Sequence, residues 1–123
     1  MVGDPFDAQL PPVGDAEVES LLATSRDYTM VVLRAGPNRQ APEASELVQQ
    51  HGVRTLRLRK GGWLRVVARV ADTSPLAGVC VFDLDLEQTR RLMASDPAVR
   101  AGVLLFEAHR VHAFPGDGLP SAG

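Results

Sequence analysis

His51 and Asp96 are the two residues whose placement most invites chemistry. His51 lies inside a stretch of helical periodicity, and Asp96 falls where a second such stretch stops, at Ser95-Asp96-Pro97. A carboxylate beside an imidazole orients the ring and favours its charged form, which equips such a pair for general acid–base catalysis. A purely structural reading stands beside this one. A lone histidine on an apolar helix face is commonly a core residue, and Ser95-Asp96-Pro97 also reads as a cap followed by a first-turn proline.

The remaining chemistry-bearing side chains combine less well. His109 and His112 are three apart on a predicted strand, so they point to opposite faces and cannot hold a metal together. Glu107 and His109 do share a face and form a candidate polar pair. Cys80, the single cysteine, cannot close an internal disulfide and sits mid-strand, where a thiol is buried and inert. No Cys/His spacing suits zinc, so no metal site is expected. The chain has no GxGxxG or GxxxxGK[ST] run to cradle a phosphate, and no serine in a nucleophile elbow. Arg39 and Arg69 are the candidates to hold an anionic or phenolate-like oxygen of a substrate near His51.

The elements that must position these residues follow from periodicity. "YTMVVL" (28–33) is a short β-branched strand, and "RAGPNRQAP" is the loop after it. Pro42 suits the first turn of a helix reaching about Lys60, with Ala44, Leu47, Val48, His51, Thr55 and Leu58 on one face. Gly61-Gly62 ends it. "WLRVVARV" (63–70) and "AGVCVFDLD" (77–85) are strands joined by a hairpin at "ADTSP". Asp85 caps a helix from about Leu86 to Ala94, and "GVLLFEAHRVHAF" (102–114) is the last strand. The order is β-α-β-β-α-β, the ferredoxin-like split unit of the α+β class, with two helices on one face of a four-stranded antiparallel sheet. Residues 1–26 read as an extension, irregular around Pro5, Pro11 and Pro12 and then a short helix capped by Asp15. Its apolar stripe, Val18, Leu21 and Leu22, needs support from the main domain or a partner. Residues 115–123 read as a frayed tail.

This topology brings the Gly36–Ala41 loop, the first half of the long helix, the hairpin from Arg69 to Pro75, and Asp96 to one rim. Strand alternation assigns Leu64, Val66, Cys80, Phe82, Leu104 and Phe106 to the helix side of the sheet. Met30, Val32, Val67, Val79, Val81, Val103 and Leu105 fall on the opposite side, beside Arg65, Arg69, Glu107 and His109. An apolar face of that size predicts an interface, here a sheet-to-sheet homodimer.

Bulk properties narrow the class. With 45% hydrophobic and 23% charged residues in 123, the chain has enough apolar material for one globular core. A net charge of −2 argues against a nucleic-acid surface. The basic run "RTLRLRKGGWLR" alternates with leucines and reads as the wet side of a helix and strand. No apolar run suits a membrane span, and the acidic, proline-rich start is unlike a signal or transit peptide. Cytoplasmic residence is the simplest expectation.

Four segments, "YTMVVLRAGPNR", "ELVQQHGVRTLRLRKGGWL", "PLAGVCVFDLD" and "SDPAVRAGVLLFEAH", resemble the YCII-related (YciI-like) domain family of dimeric α+β barrel proteins. The spacing His51–Leu58–Gly62 is similar to that family's H-x6-L-x3-G pattern, and "DPAVRAG" resembles its most specific motif. The resemblance spans about residues 28–112. It implies His51 and Asp96 as an active-site pair, a homodimer with facing sheets, and no obligatory cofactor. The chain departs from the family at Ala68-Arg69, where a Gly-Pro is common, and at Gly52, where a leucine is usual. The functional expectation is a small cofactor-free enzyme using the His-Asp pair on a small molecule. A non-catalytic dimeric ligand-binding or protein-interaction module is the alternative.

Overall fold

The computed structural model describes residues 3–122; the outermost residues of the two flanking segments, 1–2 and 123, lie outside the described residues. A 3-10 turn at Pro5–Gln9 and helix α1 (Asp15–Leu22) precede strand β1 (Arg26–Ala35). There follow α2 (Ala44–Lys60), β2 (Leu64–Arg69), β3 (Leu76–Phe82), α3 (Leu86–Ala94), the single-turn α4 (Pro97–Arg100) and β4 (Leu104–Ala113). The four strands form one antiparallel sheet in the order β2-β3-β1-β4. The molecule is α+β, and the strand order is compatible with a ferredoxin-like arrangement.

Local chemistry explains most boundaries. Asp85 accepts from the Gln88 amide while the Gln88 side chain accepts from the Asp85 amide, a reciprocal cap that starts α3. Pro42 stands just before α2 rather than in its first turn; Glu43 is the flanking residue, and Glu46 meets the positive end of the helix. Gly62, with φ of +90°, lets the chain reverse after α2.

The core lies between the helices and one face of the sheet. Val31, Leu33, Leu64, Cys80, Phe82, Met93 and Ala108 are buried together, with Leu58 of α2 and Leu86 and Leu92 of α3 packed on them. Both long helices therefore cover the same sheet face. Thr29, on that face with almost no exposure, resolves its burial by donating its hydroxyl to the Leu84 carbonyl at 2.8 Å.

Several face assignments change. A bulge lies between Leu64 and Val66, which pair with the consecutive residues Phe82 and Val81 of β3, leaving Arg65 as the extra residue. Beyond it Val67 and Arg69 pair with Cys80 and Gly78 on the helix side, and Val66 and Ala68 turn outward. Simple alternation, which ignores the extra residue, put Val66 inward and Val67 and Arg69 outward. Val103 is also buried, against Ala44 and Ala98. It belongs to the turn before β4, where alternation does not apply, and its amide donates to the Ala98 carbonyl at 2.9 Å.

The extension differs too. Its first half contains the 3-10 turn, with Asp4 accepting from the Phe6 amide at 2.8 Å. Gly14, not Asp15, flanks α1, and Asp15 sits in the first turn. Val18, Leu21 and Leu22 are exposed, so this chain's own domain does not cover the α1 stripe. Among the described residues no helix is long and apolar enough to cross a membrane.

Candidate functional site

Asp96 follows Ser95, the C-cap of α3, and is itself the N-cap of α4. Its extended backbone breaks the helix, Pro97 occupies the first position of α4, and its Oδ1 accepts from the Ala98 and Val99 amides at 2.9 and 3.3 Å. The carboxylate is 1% exposed. Its second oxygen, Oδ2, lies 2.7 Å from Nδ1 of His51, reached across 45 residues of sequence. Burial alone would push the Asp96 carboxyl up. The His51 hydrogen bond and charge, with the two amides, outweigh it and hold the group below its ordinary value of 3.8. At neutral pH Asp96 is therefore a carboxylate that can only accept, so Nδ1 of His51 must carry the proton. In the neutral ring Nε2 is then the lone-pair nitrogen.

His51 stands midway along α2 with its side chain 14% exposed. Ala44, Leu47, Val48, Thr55 and Leu58 share its face and are each buried or half-buried, as their helical spacing predicts. Beside His51 opens a cavity of about 610 Å³ whose wall also includes Gly52, Thr55, Val67, Arg39 and Arg69. Asp96 does not line it; it stands behind the ring. All four sequence-selected residues thus meet at one rim, His51, Arg39 and Arg69 on the cavity and Asp96 one hydrogen bond away. The Arg65 bulge is what turns Arg69 inward to this position.

Arg39 is carried by the loop between β1 and α2, which is clamped from below. Gly36 and Asn38 donate their amides to the Val103 and Gly102 carbonyls at 2.9 Å each, and the Asn38 side chain donates to Ala101 at 2.8 Å. Ala101, Gly102 and Val103, which follow the α4 turn that Asp96 caps, are therefore the platform for the loop that holds Arg39.

The chain matches no known family model and no curated protein.

One member of the constellation was missed from sequence. Arg54 donates Nη2 to the Leu92 carbonyl at 2.8 Å and brings Nη1 to 3.6 Å from Asp96 Oδ2. That Nη1 is buried and has no hydrogen-bond partner in the structure, so its charge is directed at the carboxylate across a longer gap. The available signal was the i, i+3 spacing of His51 and Arg54 on one helix face. It was hidden because Arg54 opens the basic run that reads as a solvated surface.

Other candidates lie elsewhere. Glu107 and His109 meet on the outer sheet face at 3.1 Å, with Arg34 paired to the same carboxylate. The His109 hydrogen bond and then Arg34 hold Glu107 below its usual range. His112 is away from both, paired to Asp27 at 3.0 Å. Cys80 is buried in the core, and desolvation pushes its thiol up to about 11, far from thiolate character at neutral pH. Among the described residues no group of three His, Cys, Asp or Glu side chains is arranged to hold a metal ion.

Proposed function

We propose that the protein is a small enzyme that needs no bound cofactor and moves a proton on a small molecule, with His51 as the general base and acid. The observation that carries this reading is the 2.7 Å contact between His51 Nδ1 and Asp96 at the wall of a cavity of about 610 Å³. With Nδ1 protonated, Nε2 is a base facing the space where a substrate would lie, and after accepting a proton it becomes the acid that returns it. Asp96 touches no substrate in this scheme. It is a positioning residue that fixes the tautomer and stabilises the imidazolium, with Nη1 of Arg54 3.6 Å from its Oδ2. Arg39 and Arg69 supply positive charge for an anion that is bound or that develops during reaction.

Membership of the YCII-related family is part of the proposal. It is supported by the placement of the residues that carry the resemblance: His51 and Asp96 in contact, and "DPAVRAG" forming cap, single-turn helix and loop platform. The dimeric α+β barrel is the finer form of the fold reading. It is supported by the outer sheet face, where Met30, Val32, Val66, Val79 and Val81 share a surface that no helix among the described residues covers.

The capping geometry supplies the test. In Asp96→Asn the oxygen must stay on the Ala98 and Val99 amides, which need an acceptor, so the side-chain NH₂ is turned toward His51. Nδ1 then has to accept, and the ring proton moves to Nε2. Nitrogen-15 spectra of the ring are expected to show an Nδ1–H histidine in the native protein and an Nε2–H histidine in the variant. The same tautomer in both would end the coupled-pair reading.

A further inference from the structure

Gly52 sits in the middle of α2, where glycine is among the poorest helix formers. It has no positive φ to demand glycine, and nothing stands within 4 Å of the place a Cβ would occupy. Neither backbone geometry nor close packing accounts for it. What Gly52 does border is the cavity, one residue from His51, so bare helix backbone forms that part of the wall.

The charge of the same wall is one-sided. Arg39 and Arg69 line the cavity, no aspartate or glutamate does, and neither guanidinium takes part in a salt bridge among the described residues. The rest of the surface is largely aliphatic: Leu33, Val48, Leu56, Val67, Val70 and Leu104. An apolar chamber with two free cations and no anion complements a compact apolar molecule bearing one negative group.

We infer that the cavity binds a small, mostly apolar anion whose apolar body lies over the bare backbone of Gly52 and whose charge faces Arg39 and Arg69, so that Gly52 sets the size of what is admitted. The inference rests on the reading of this cavity as the substrate site, but it requires no proton transfer. A side chain at 52 would project into open space, satisfy the helix and narrow the chamber beside Nε2.

1-Naphthoate is a suitable probe, with the uncharged 1-naphthamide as its control, each titrated into the nitrogen-15-labelled full chain while backbone amide signals are followed. Saturable shifts are expected at His51, Gly52, Arg69 and Gly78 with naphthoate, and binding weaker by about fivefold or more with naphthamide. Gly52→Leu is expected to unfold at a temperature no lower than the native protein and to bind naphthoate about fivefold more weakly or worse. Should the leucine variant not fold, Gly52→Ala takes its place, with a raised unfolding midpoint and a measurable loss of affinity expected. The inference is overturned by shifts confined to other surfaces, by naphthamide binding as well as naphthoate, or by a folded position-52 variant that binds as the native protein does. Failure of the acid–base reading registers elsewhere, as an unchanged His51 tautomer in Asp96→Asn with naphthoate binding intact.

Discussion

Asp96 uses its two oxygens for two different tasks. Oδ1 satisfies the first amides of α4, and Oδ2 holds His51, with Arg54 a little farther off. Removing the side chain takes away the cap, worth about 1 kcal/mol, leaves His51 without its acceptor and takes the nearby carboxylate from the buried Arg54 Nη1. Asp96→Ala is therefore expected to lower the free energy of unfolding by about 3 kcal/mol, read from urea denaturation at neutral pH. The pH dependence follows from the direction of the Asp96 shift. A carboxyl held below 3.8 in the folded state binds fewer protons there than in the unfolded chain, so its contribution is complete above that pH. It is lost as pH falls through the lowered native value. The stability difference between the native protein and Asp96→Ala is thus expected to be constant at neutral pH and to shrink only below about pH 4. A difference that vanished near pH 6 would assign the effect to some other group.

At the scale of elements, the site is held by one short clamp between the β1–α2 loop and the turn before β4. Gly36 is its tightest point: a Cβ there would sit 2.3 Å from the Gly102 carbonyl oxygen, which is backbone and cannot swing aside. Gly36→Ala is expected to cost about 1–3 kcal/mol and to displace the loop carrying Arg39. Gly118→Ala, which meets open space, is expected to stay within about 0.5 kcal/mol in the same urea experiment. The elements themselves were largely legible because each carries its own local signal: the Asp85–Gln88 cap, the β-branched strands, and the glycines after α2. The His51–Asp96 contact was legible at the level of topology, since a β-α-β-β-α-β order brings those positions to one rim. What escaped was non-local or irregular. The Arg65 bulge depends on how β2 pairs with β3, and nothing in "WLRVVARV" marks which residue is extra, so plain alternation puts Arg69 on the outer face even though topology puts it at the rim. Arg54 was hidden in a run whose other basic residues, Arg57, Arg59, Lys60 and Arg65, are indeed exposed. Only its reach to the Leu92 carbonyl and Asp96 separates it from them.

At the scale of the whole molecule, the helices cover one face of the sheet and leave the other to its surroundings. Val81 lies at the centre of that outer face, paired with Met30 on β1 and Val66 on β2, and α1 does not cover it, since the apolar residues of α1 are themselves exposed. Opposite Val32 on β4 stands Glu107, tied to Arg34 and His109, so the face is an apolar field with one neutralised polar cluster. In the proposed homodimer a second copy would bring an identical field, and a two-fold axis through the sheet would place apolar strand against apolar strand. Light scattering behind gel filtration is expected to give twice the 13.2 kDa of one chain, with an unfolding midpoint that rises with protein concentration. Val81→Lys tests the face itself. In a single chain the lysine reaches water along the sheet surface and the fold is kept, because Val81 contributes nothing to the core between sheet and helices. In a facing pair two ammonium groups are forced into the apolar field near the axis, and association is lost. The variant is expected to elute as one folded chain whose unfolding midpoint no longer depends on concentration. A native protein that already runs as a single chain, or a Val81→Lys protein that remains paired, would rule out this face as the interface.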